Sequence, residues 1–206
     1  MSSLEDLIGR AKMLHSEGRS SSQIADEMSL SIETVTWLLT QQKGEQAAPK
    51  DILIDWSSIS GHADMLRDTS VMLLKRFIHA TEESRPDDFS ENFPDIIIGI
   101  SHSGIPLATM IAGEADCLFT MFHPKKHATG DNPTGSLNSS FADVSGRRCL
   151  IVDDVITSGN TIKEAVDVVR KHGGIPVAVC ILFDKRGIKE VDGVPVYSLV
   201  KVNRID

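Results

Sequence analysis

Apolar side chains recur every three or four positions through the first forty residues, which is the spacing of amphipathic helices. A stripe that begins at Leu4 predicts a first helix that ends near Gly18. A hydroxyl cap at Ser21 or Ser22 predicts a short second helix, and a third is predicted to begin near Ile32 after a tight turn. We therefore expect an all-helical unit at the start of the chain.

Further along, the pattern changes to nearly continuous apolar runs that alternate with helical spacing. Strands are predicted at 51–56, 95–100, 117–122, 149–154 and 175–183, and helices at 62–82, 105–115 and 161–172. Such alternation is typical of a parallel sheet with helices on both faces. The predicted fold class is α/β, with a helical domain at 1–43, a polar linker at 44–51 and the sheet domain at 52–206.

Composition narrows the class of protein. The chain has 206 residues, of which 41% are hydrophobic, so one ordinary domain and a small addition can form cores. No apolar run approaches the roughly 20 residues of a membrane span, and we expect no membrane partner. The start, MSSLEDLIGRAK, lacks the features of a secretory signal, which predicts a cytoplasmic protein. Cys117, Cys149 and Cys180 stand apart in apolar segments, which predicts buried thiols.

Asp153 and Asp154 follow an apolar run directly, at the end of a predicted strand. Ligands of parallel sheets collect at the carboxyl ends of the strands, and paired carboxylates can accept hydrogen bonds from the vicinal hydroxyls of a sugar. The residues that follow offer hydroxyls and helix N-terminal amides to a phosphate; they are Thr157, Ser158, Gly159, Asn160 and Thr161. The alternative is an ordinary strand, turn and helix with nothing bound.

The stretch CLIVDDVITSGNT resembles the signature of type I phosphoribosyltransferases, which bind 5-phosphoribosyl 1-diphosphate (PRPP). The resemblance implies that this stretch holds the ribose and its 5-phosphate, that Mg²⁺ accompanies PRPP, and that no side chain is a direct metal ligand. The stretch GISHSGIPLATMIA is similar to the diphosphate loop of the same family, which implies that Ser101, His102, Ser103 and Gly104 face the diphosphate. His102 is either a ligand contact or a polar loop residue.

A long polar loop, 122–148, contains Lys125, Lys126 and His127. Loops of this length are usually either functional lids or disordered, and the cations favour a lid. In orotate phosphoribosyltransferases a lysine- and histidine-bearing loop occupies this place, so the resemblance implies a catalytic role for these three residues. The stretch FDKRG resembles the place of a substrate-binding arginine, which implies that Arg186 binds the base. The tail after it either forms a hood over the base or completes the edge of the sheet.

The helical segment resembles the helix-turn-helix of DNA-binding regulators, with Ala25 where the helices approach and Leu30 in the turn. Ser29 stands where many such motifs have glycine. The resemblance places one set of residues towards the major groove: Ser31, Glu33, Thr34, Thr36, Trp37, Thr40 and Gln41. Trp37 is alternatively a packing residue. The formal net charge of −8 argues against nonspecific wrapping of nucleic acid, so any DNA contact is expected to be local. A helical hairpin for dimerisation or docking is the alternative.

The order of the two domains resembles archaeal orotate phosphoribosyltransferase-like transcription regulators of central sugar metabolism. It implies a homodimer that binds an inverted-repeat operator in DNA and senses PRPP, a related phosphosugar or a nucleotide. The alternative is an enzyme that joins orotate or another nucleobase to ribose 5-phosphate and releases diphosphate, with or without a docking hairpin. The compressed charges of the lid and the late position of Arg186 predict weak or absent enzyme activity.

Overall fold

Three helices form the first of the two units into which the chain divides, Met1–Asp55 and Trp56–Asp206. The computed structural model describes residues 4–40, 49, 51–84, 92–128 and 134–202. The helices are α1 (Leu4–Ser16), α2 (Ser21–Glu27) and α3 (Ile32–Thr40). Their buried side chains form one cluster: Ala11, Leu14, Ile24, Ala25, Met28, Leu30, Val35 and Leu38. The apolar spacing of the sequence therefore predicted the core of this unit.

Ser20 caps α2, one residue before the predicted Ser21 or Ser22. Its hydroxyl accepts a hydrogen bond from the Gln23 amide at 3.3 Å, and the Gln23 side chain accepts one from the Ser20 amide at 2.9 Å. The sequence prediction was wrong by one residue because the glutamine completes a reciprocal capping box with the earlier serine.

The turn between α2 and α3 has the backbone that glycine usually supplies. Ser29 has a φ of +51°, in the left-handed region, and Leu30 beside it is buried. Although Ser29 stands where many such motifs have glycine, the turn therefore keeps its left-handed conformation.

Residues 51–56 do not form the predicted strand. The carboxylate of Asp51 instead accepts hydrogen bonds from the Ser31 amide at 2.6 Å and the Thr34 hydroxyl at 3.0 Å, at the start of α3. Leu53 packs on the helical core. The strand prediction was wrong because Asp51 and Leu53 are engaged with the helical unit, whereas Trp56 packs on the core of the second unit. Most of the predicted linker, 44–48 and Lys50, lies outside the described residues.

The second unit is an α/β structure. Its helices are α4 (Ser57–Ser60), α5 (Ala63–Ser84), α6 (Gly104–Ala115) and α7 (Asn160–Lys171). Its strands are β1 (Ile96–Ile100), β2 (Leu118–His123), β3 (Ser136–Leu137), β4 (Arg148–Ile156), β5 (Ile175–Asp184), β6 (Glu190–Val191) and β7 (Val194–Lys201). None of the helices within the described ranges is long and apolar enough to cross a membrane.

The described strands form one sheet in the order β3-β2-β1-β4-β5-β7-β6. The five inner strands, β2, β1, β4, β5 and β7, are parallel to one another. The short edge strands β3 and β6 are antiparallel to their neighbours. The predicted parallel sheet is therefore a mixed sheet. The tail of the chain forms β6 and β7, so it completes the sheet edge, and its described residues do not form the hood of the other interpretation.

The side chains of the central strands alternate between two core layers, as expected for a sheet buried on both faces. Ile98 and Ile151 pack in the layer that contains α7, whereas Ile97 and Leu150 pack in the layer that contains α5 and α6. The prediction of helices on both faces is confirmed.

All three cysteines are free thiols. Cys149 and Cys180 are buried, and Cys117 is half-buried. Burial raises the pKa of Cys149 to about 12 and raises the pKa values of Cys180 and Cys117 as well. The thiols therefore remain protonated at neutral pH, in agreement with a packing role.

The direction of the connections creates a crevice at one end of the sheet. From β1 the chain passes through α6 to β2 on one side, and from β4 it passes through α7 to β5 on the other. The neighbours β1 and β4 are in register at Gly99 and Val152. Because the two connections diverge there, the carboxyl ends of β1 and β4 flank a topological switch point, where α/β sheets bind ligands.

An ion pair lies near the opposite ends of these two strands. The Asp95 carboxylate accepts hydrogen bonds from Arg148 Nε at 2.9 Å, Arg148 Nη2 at 2.5 Å and the Arg148 amide at 2.9 Å. These hydrogen bonds lower the pKa of Asp95 from 3.8 to about 2. Since the folded carboxyl has the lower pKa, its contribution to stability is present above pH 4 and is lost as the pH falls towards 2.

We expect Asp95→Asn to reduce the free energy of unfolding by about 1 kcal/mol at pH 7, a value reduced for solvent screening because the side chain is 37% exposed. Urea unfolding at several pH values measures the effect, which should shrink between pH 4 and pH 2. Asp116→Asn, the same change at the exposed end of α6, should have little effect. A difference that stays constant down to pH 2 would contradict the pairing.

Candidate functional site

The two aspartates of the crevice lie within β4, not at its end. The strand continues through Val155 and Ile156, which pair with β5. The sequence placed the end of the strand at Asp154 because the apolar run stops at Val152 and the two aspartates follow it. Asp154 is buried and Asp153 is half-buried. The amide of Asp154 donates to Asp153 Oδ1 at 3.0 Å, and the amide of Val155 donates to Asp154 Oδ1 at 2.8 Å, so both carboxylates are oriented by the backbone.

The loop after β4 turns directly into the N-terminus of α7. Gly159 precedes the helix with a φ of +82°, a conformation that favours glycine. The first helical bond of this turn runs from the Lys163 amide to the Gly159 carbonyl. The amide of Asn160 donates to Ser158 Oγ at 3.4 Å, whereas the amide of Thr161 belongs to the first turn of α7, whose amides have no acceptor within the helix. This arrangement suits an anion.

The loop after β1 is fixed by Ser101. Its amide donates to the Phe122 carbonyl at 2.9 Å, and its hydroxyl is 2.7 Å from His123 Nδ1. The peptide bond between Ser101 and His102 is cis. The prediction that the Ser101 amide faces a diphosphate is therefore corrected, because that amide is engaged with β2. His123 was not predicted, although its place at the end of β2 put it at the same edge of the sheet.

Gly104, the first residue of α6, lies against β4. A Cβ atom at this position would be 2.5 Å from the Val152 carbonyl oxygen and 3.1 Å from Asp153 Oδ1. Only glycine allows this approach, which brings the loop 101–104 next to the carboxylate pair. Ser103 lies between His102 and this contact, in the same turn.

The short 3₁₀ helix Lys125–His127 lies over both loops. The ring of His127 stacks on the ring of His102, with centroids 4.6 Å apart and planes inclined by 24°. Lys126 Nζ donates to Thr161 Oγ1 at 2.9 Å. The predicted lid therefore contacts both the predicted diphosphate loop and the predicted phosphate loop within a single chain. Residues 129–133 of the lid lie outside the described residues.

Glu164 anchors the lid and was not predicted. Its Oε1 accepts a hydrogen bond from the Lys125 amide at 3.0 Å. A Cβ atom on Gly135, on the returning arm of the loop, would be 2.6 Å from the same oxygen. Glu164 therefore lies at both arms of the loop. A glutamate in the middle of an amphipathic helix gives no signal of this role in the sequence.

Arg186 contacts the loop that follows β4. Its Nε donates to the Thr157 carbonyl at 3.1 Å, so the guanidinium is engaged with the phosphate loop. The buried carboxylate of Asp184 accepts from the amides of Arg186 at 2.9 Å and Gly187 at 2.8 Å, which fixes this turn. Arg186 is exposed, and its predicted role in binding the base stays a prediction. Ser158, in the same loop, is exposed.

Some of the residues predicted to face the major groove are exposed on α3. Glu33, Thr36 and Thr40 are exposed. Trp37 is half-buried against the helical core, as its packing alternative predicted. The prediction for Thr34 was wrong, because this side chain is buried and bonded to Asp51.

Ser31 and Gln41 were also predicted to face the major groove. The Ser31 hydroxyl accepts from the Thr34 amide at 3.1 Å, so it acts as the cap of α3 and not as a surface contact. Gln41 lies outside the described residues.

The crevice of the second unit combines two kinds of chemistry. Asp153 and Asp154 offer acceptors to hydroxyl groups, whereas Lys126 offers a positive charge and the start of α7 offers amides. A ligand with both hydroxyl and phosphate groups matches this arrangement.

The second unit has the fold of the type I phosphoribosyltransferases. Residues 69–206 match the phosphoribosyl transferase domain family. The adenine phosphoribosyltransferase of Rhodothermus marinus has a TM-score of 0.55 at 24% identity, over 73% of this chain and 88% of that one. The orotate phosphoribosyltransferase of Aeropyrum pernix has a TM-score of 0.55 at 20% identity, over 78% of this chain and 83% of that one.

The match with one group of regulators extends over both units. The chain is 53% identical over 206 residues to the transcriptional regulator GfcR of Methanocorpusculum labreanum, with 100% of both chains covered. It therefore belongs to the GfcR family of transcriptional regulators, which carry a phosphoribosyltransferase domain.

Proposed function

We propose that this chain is a cytoplasmic, homodimeric DNA-binding regulator whose second unit binds PRPP, a related phosphosugar or a nucleotide, and that this ligand changes its affinity for DNA. The observation that carries the proposal is the meeting of three loops at the switch point. In one chain, Gly104 lies against Asp153, His127 stacks on His102, and Lys126 donates to Thr161 at the N-terminus of α7.

The site offers a subsite for each part of PRPP. Asp153 and Asp154 accept hydrogen bonds from the ribose hydroxyls, and the first turn of α7 binds the 5-phosphate. Lys126, His127 and the loop of His102 face the diphosphate. The hard oxygens of the β4 carboxylates and of a diphosphate are groups that suit Mg²⁺, which would enter with PRPP and neutralise its charge.

The helical unit supplies the DNA-binding surface in this proposal. The left-handed turn at Ser29, the buried Leu30 and the exposed residues of α3 match a helix-turn-helix, with Glu33, Thr36 and Thr40 towards the major groove. A twofold dimer would present two such helices to an inverted repeat, with half-sites about one duplex turn apart or a multiple of it. The resemblance to sugar-metabolism regulators makes the genes of central sugar metabolism the first to test.

Two measurements on the full-length protein test the proposal. Calorimetric titration with PRPP and Mg²⁺ should show saturable binding of one ligand per chain. Selection from a random duplex library should enrich a sequence with twofold symmetry. A folded protein that binds neither would overturn the proposal.

We expect no ordinary orotate phosphoribosyltransferase activity. Arg186 stands one position later than the arginine of the orotate enzymes, and its Nε donates to the Thr157 carbonyl. Turnover of orotate with PRPP and Mg²⁺ should therefore remain well below about 1 per second, the lower end of the usual enzymatic range. A rate at or above that value would favour the enzyme alternative.

A further inference from the structure

The outer face of α3 consists of the exposed side chains of this helix, which are Ile32, Glu33, Thr36 and Thr40. Because successive residues of an α-helix are about 100° apart, these four positions lie within an arc of about 100° on one side of α3. Val35 and Leu38 lie on the other side and pack in the core of the helical unit. The outer face is therefore a compact surface of known composition.

Ile32 belongs to this face, although the sequence did not place it among the residues that face DNA. Its side chain is 55% exposed, in the first turn of α3. A single exposed apolar residue is ordinary on a protein surface, so the position of Ile32 matters more than its exposure. The first residues of a recognition helix are the ones that reach base edges in the major groove. Ile32 and Glu33 occupy these positions.

The hydroxyl protons of the outer face are already used within the helix. Thr36 Oγ1 donates to the Ile32 carbonyl at 2.8 Å, and Thr40 Oγ1 donates to the Thr36 carbonyl at 2.9 Å. Each threonine therefore keeps a methyl group and acceptor lone pairs for a ligand. The glutamate carboxylate of Glu33 only accepts hydrogen bonds, and Ile32 is apolar. The outer face thus offers apolar groups and acceptors.

This composition discriminates among the bases of a duplex. In the major groove, thymine presents its 5-methyl group and cytosine presents its N4 amino donor, whereas guanine presents the acceptors N7 and O6. An apolar side chain suits the thymine methyl group, and a carboxylate suits the cytosine amino group. The acceptors of guanine would face the acceptors of Glu33 and the threonines, which is unfavourable.

We propose that Ile32 and Glu33 set the base specificity of this protein. Ile32 packs on the 5-methyl group of a thymine, and Glu33 accepts a hydrogen bond from the N4 amino group of a cytosine in a neighbouring base pair. The proposal rests on the DNA-binding function proposed above and adds the bases that are read. It requires no cation on the outer face, because base contacts specify the sequence whereas phosphate contacts position the protein.

Replacing thymine with deoxyuridine tests the Ile32 contact, since the exchange removes only the 5-methyl group. The duplex is one that full-length wild type enriches from a random library. Deoxyuridine at the contacted thymine should weaken wild-type binding about fourfold per half-site. Ile32→Ala should bind the thymine duplex with a similar loss and lose nothing more with deoxyuridine. Met13→Ala is the matched control, because it truncates an apolar side chain on α1 that is 53% exposed.

A second selection with Glu33→Gln tests the cytosine contact. Glutamine pairs with N6 and N7 of adenine, so this variant should enrich adenine at the position where the wild type enriches cytosine. Glu5→Gln makes the same exchange at an exposed position of α1 and should enrich the wild-type sequence. Thermal unfolding of each variant verifies the fold, since all the replaced side chains are exposed.

The outcomes separate this proposal from the proposed function. Wild-type binding that is insensitive to deoxyuridine at every thymine, or an equal deoxyuridine effect in Ile32→Ala, would overturn the thymine contact. Enrichment of the wild-type sequence by Glu33→Gln would overturn the cytosine contact, and DNA binding would stand in both cases. If Ile32→Ala changed the oligomeric mass and not the selected sequence, the outer face would belong to a protein contact instead. A wild type that enriches no duplex removes the DNA-binding function itself.

Discussion

Replacing Asp153 or Asp154 with asparagine should remove most of the affinity for PRPP and leave the fold intact. An ionised carboxylate only accepts hydrogen bonds, whereas an asparagine amide also presents donors to the ribose hydroxyls, which are donors themselves. Hydrogen bonds to charged groups contribute about 1.5–3 kcal/mol each, so the loss should be about 10- to 150-fold per substitution. Calorimetry with PRPP and Mg²⁺ measures it.

Asp116→Asn is the matched control for this pair. It makes the same change of charge at the carboxyl end of α6, whereas the site lies at the amino end of that helix. Its affinity for PRPP should equal that of the wild type. Unchanged affinity in both folded β4 variants would show that the ligand does not use the carboxylate pair.

Gly104→Ala should also abolish PRPP binding, for a steric reason. The added Cβ would lie 2.5 Å from the Val152 carbonyl oxygen and 3.0 Å from the Asp153 Cα, and backbone atoms of a central strand cannot move aside cheaply. The loop 101–104 must therefore shift away from β4. We expect a loss of stability on the order of 2 kcal/mol together with the loss of binding.

Gly113→Ala in the same helix provides the contrast. A Cβ atom there meets nothing within 4 Å. Because alanine is the better helix former, this change should stabilise the protein by about 0.5–1 kcal/mol and keep PRPP affinity. Denaturant unfolding and ligand titration on both variants make the comparison, and equal behaviour of the two glycines would contradict the close packing of the diphosphate loop.

The sequence predicted the elements whose patterns are long and local. Apolar runs located β1, β2, β4 and β5, because β1 and β4 each precede a helix and β2 and β5 each follow one. The edge strands β3 and β6 were missed, since two residues carry no period and their pairing depends on distant segments. The strand predicted at 51–56 failed for the same reason: a polar contact of Asp51 with α3 decides its conformation.

The sequence predicted those parts of the candidate site whose residues lie within one short motif. The residues of 153–161 and 101–104 meet at one crevice, as expected from strand ends of a parallel sheet. The role of Glu164 and the position of Arg186 could not be predicted, because both depend on side-chain contacts between segments distant in sequence. Thr34 was misassigned because a residue on the first turn of a helix can face inwards when a distant carboxylate receives it.

The proposed function requires one protein to couple a phosphosugar site to DNA. Titrating the enriched duplex with full-length protein, with and without saturating PRPP and Mg²⁺, tests it most directly. We predict that PRPP changes the DNA affinity by about 5- to 150-fold, and that DNA changes the PRPP affinity by the same factor, as linkage requires. Asp153→Asn should bind DNA like the ligand-free wild type and respond little to PRPP. Identical DNA titration curves with and without PRPP, in a protein that binds both, would show that the two sites are not coupled.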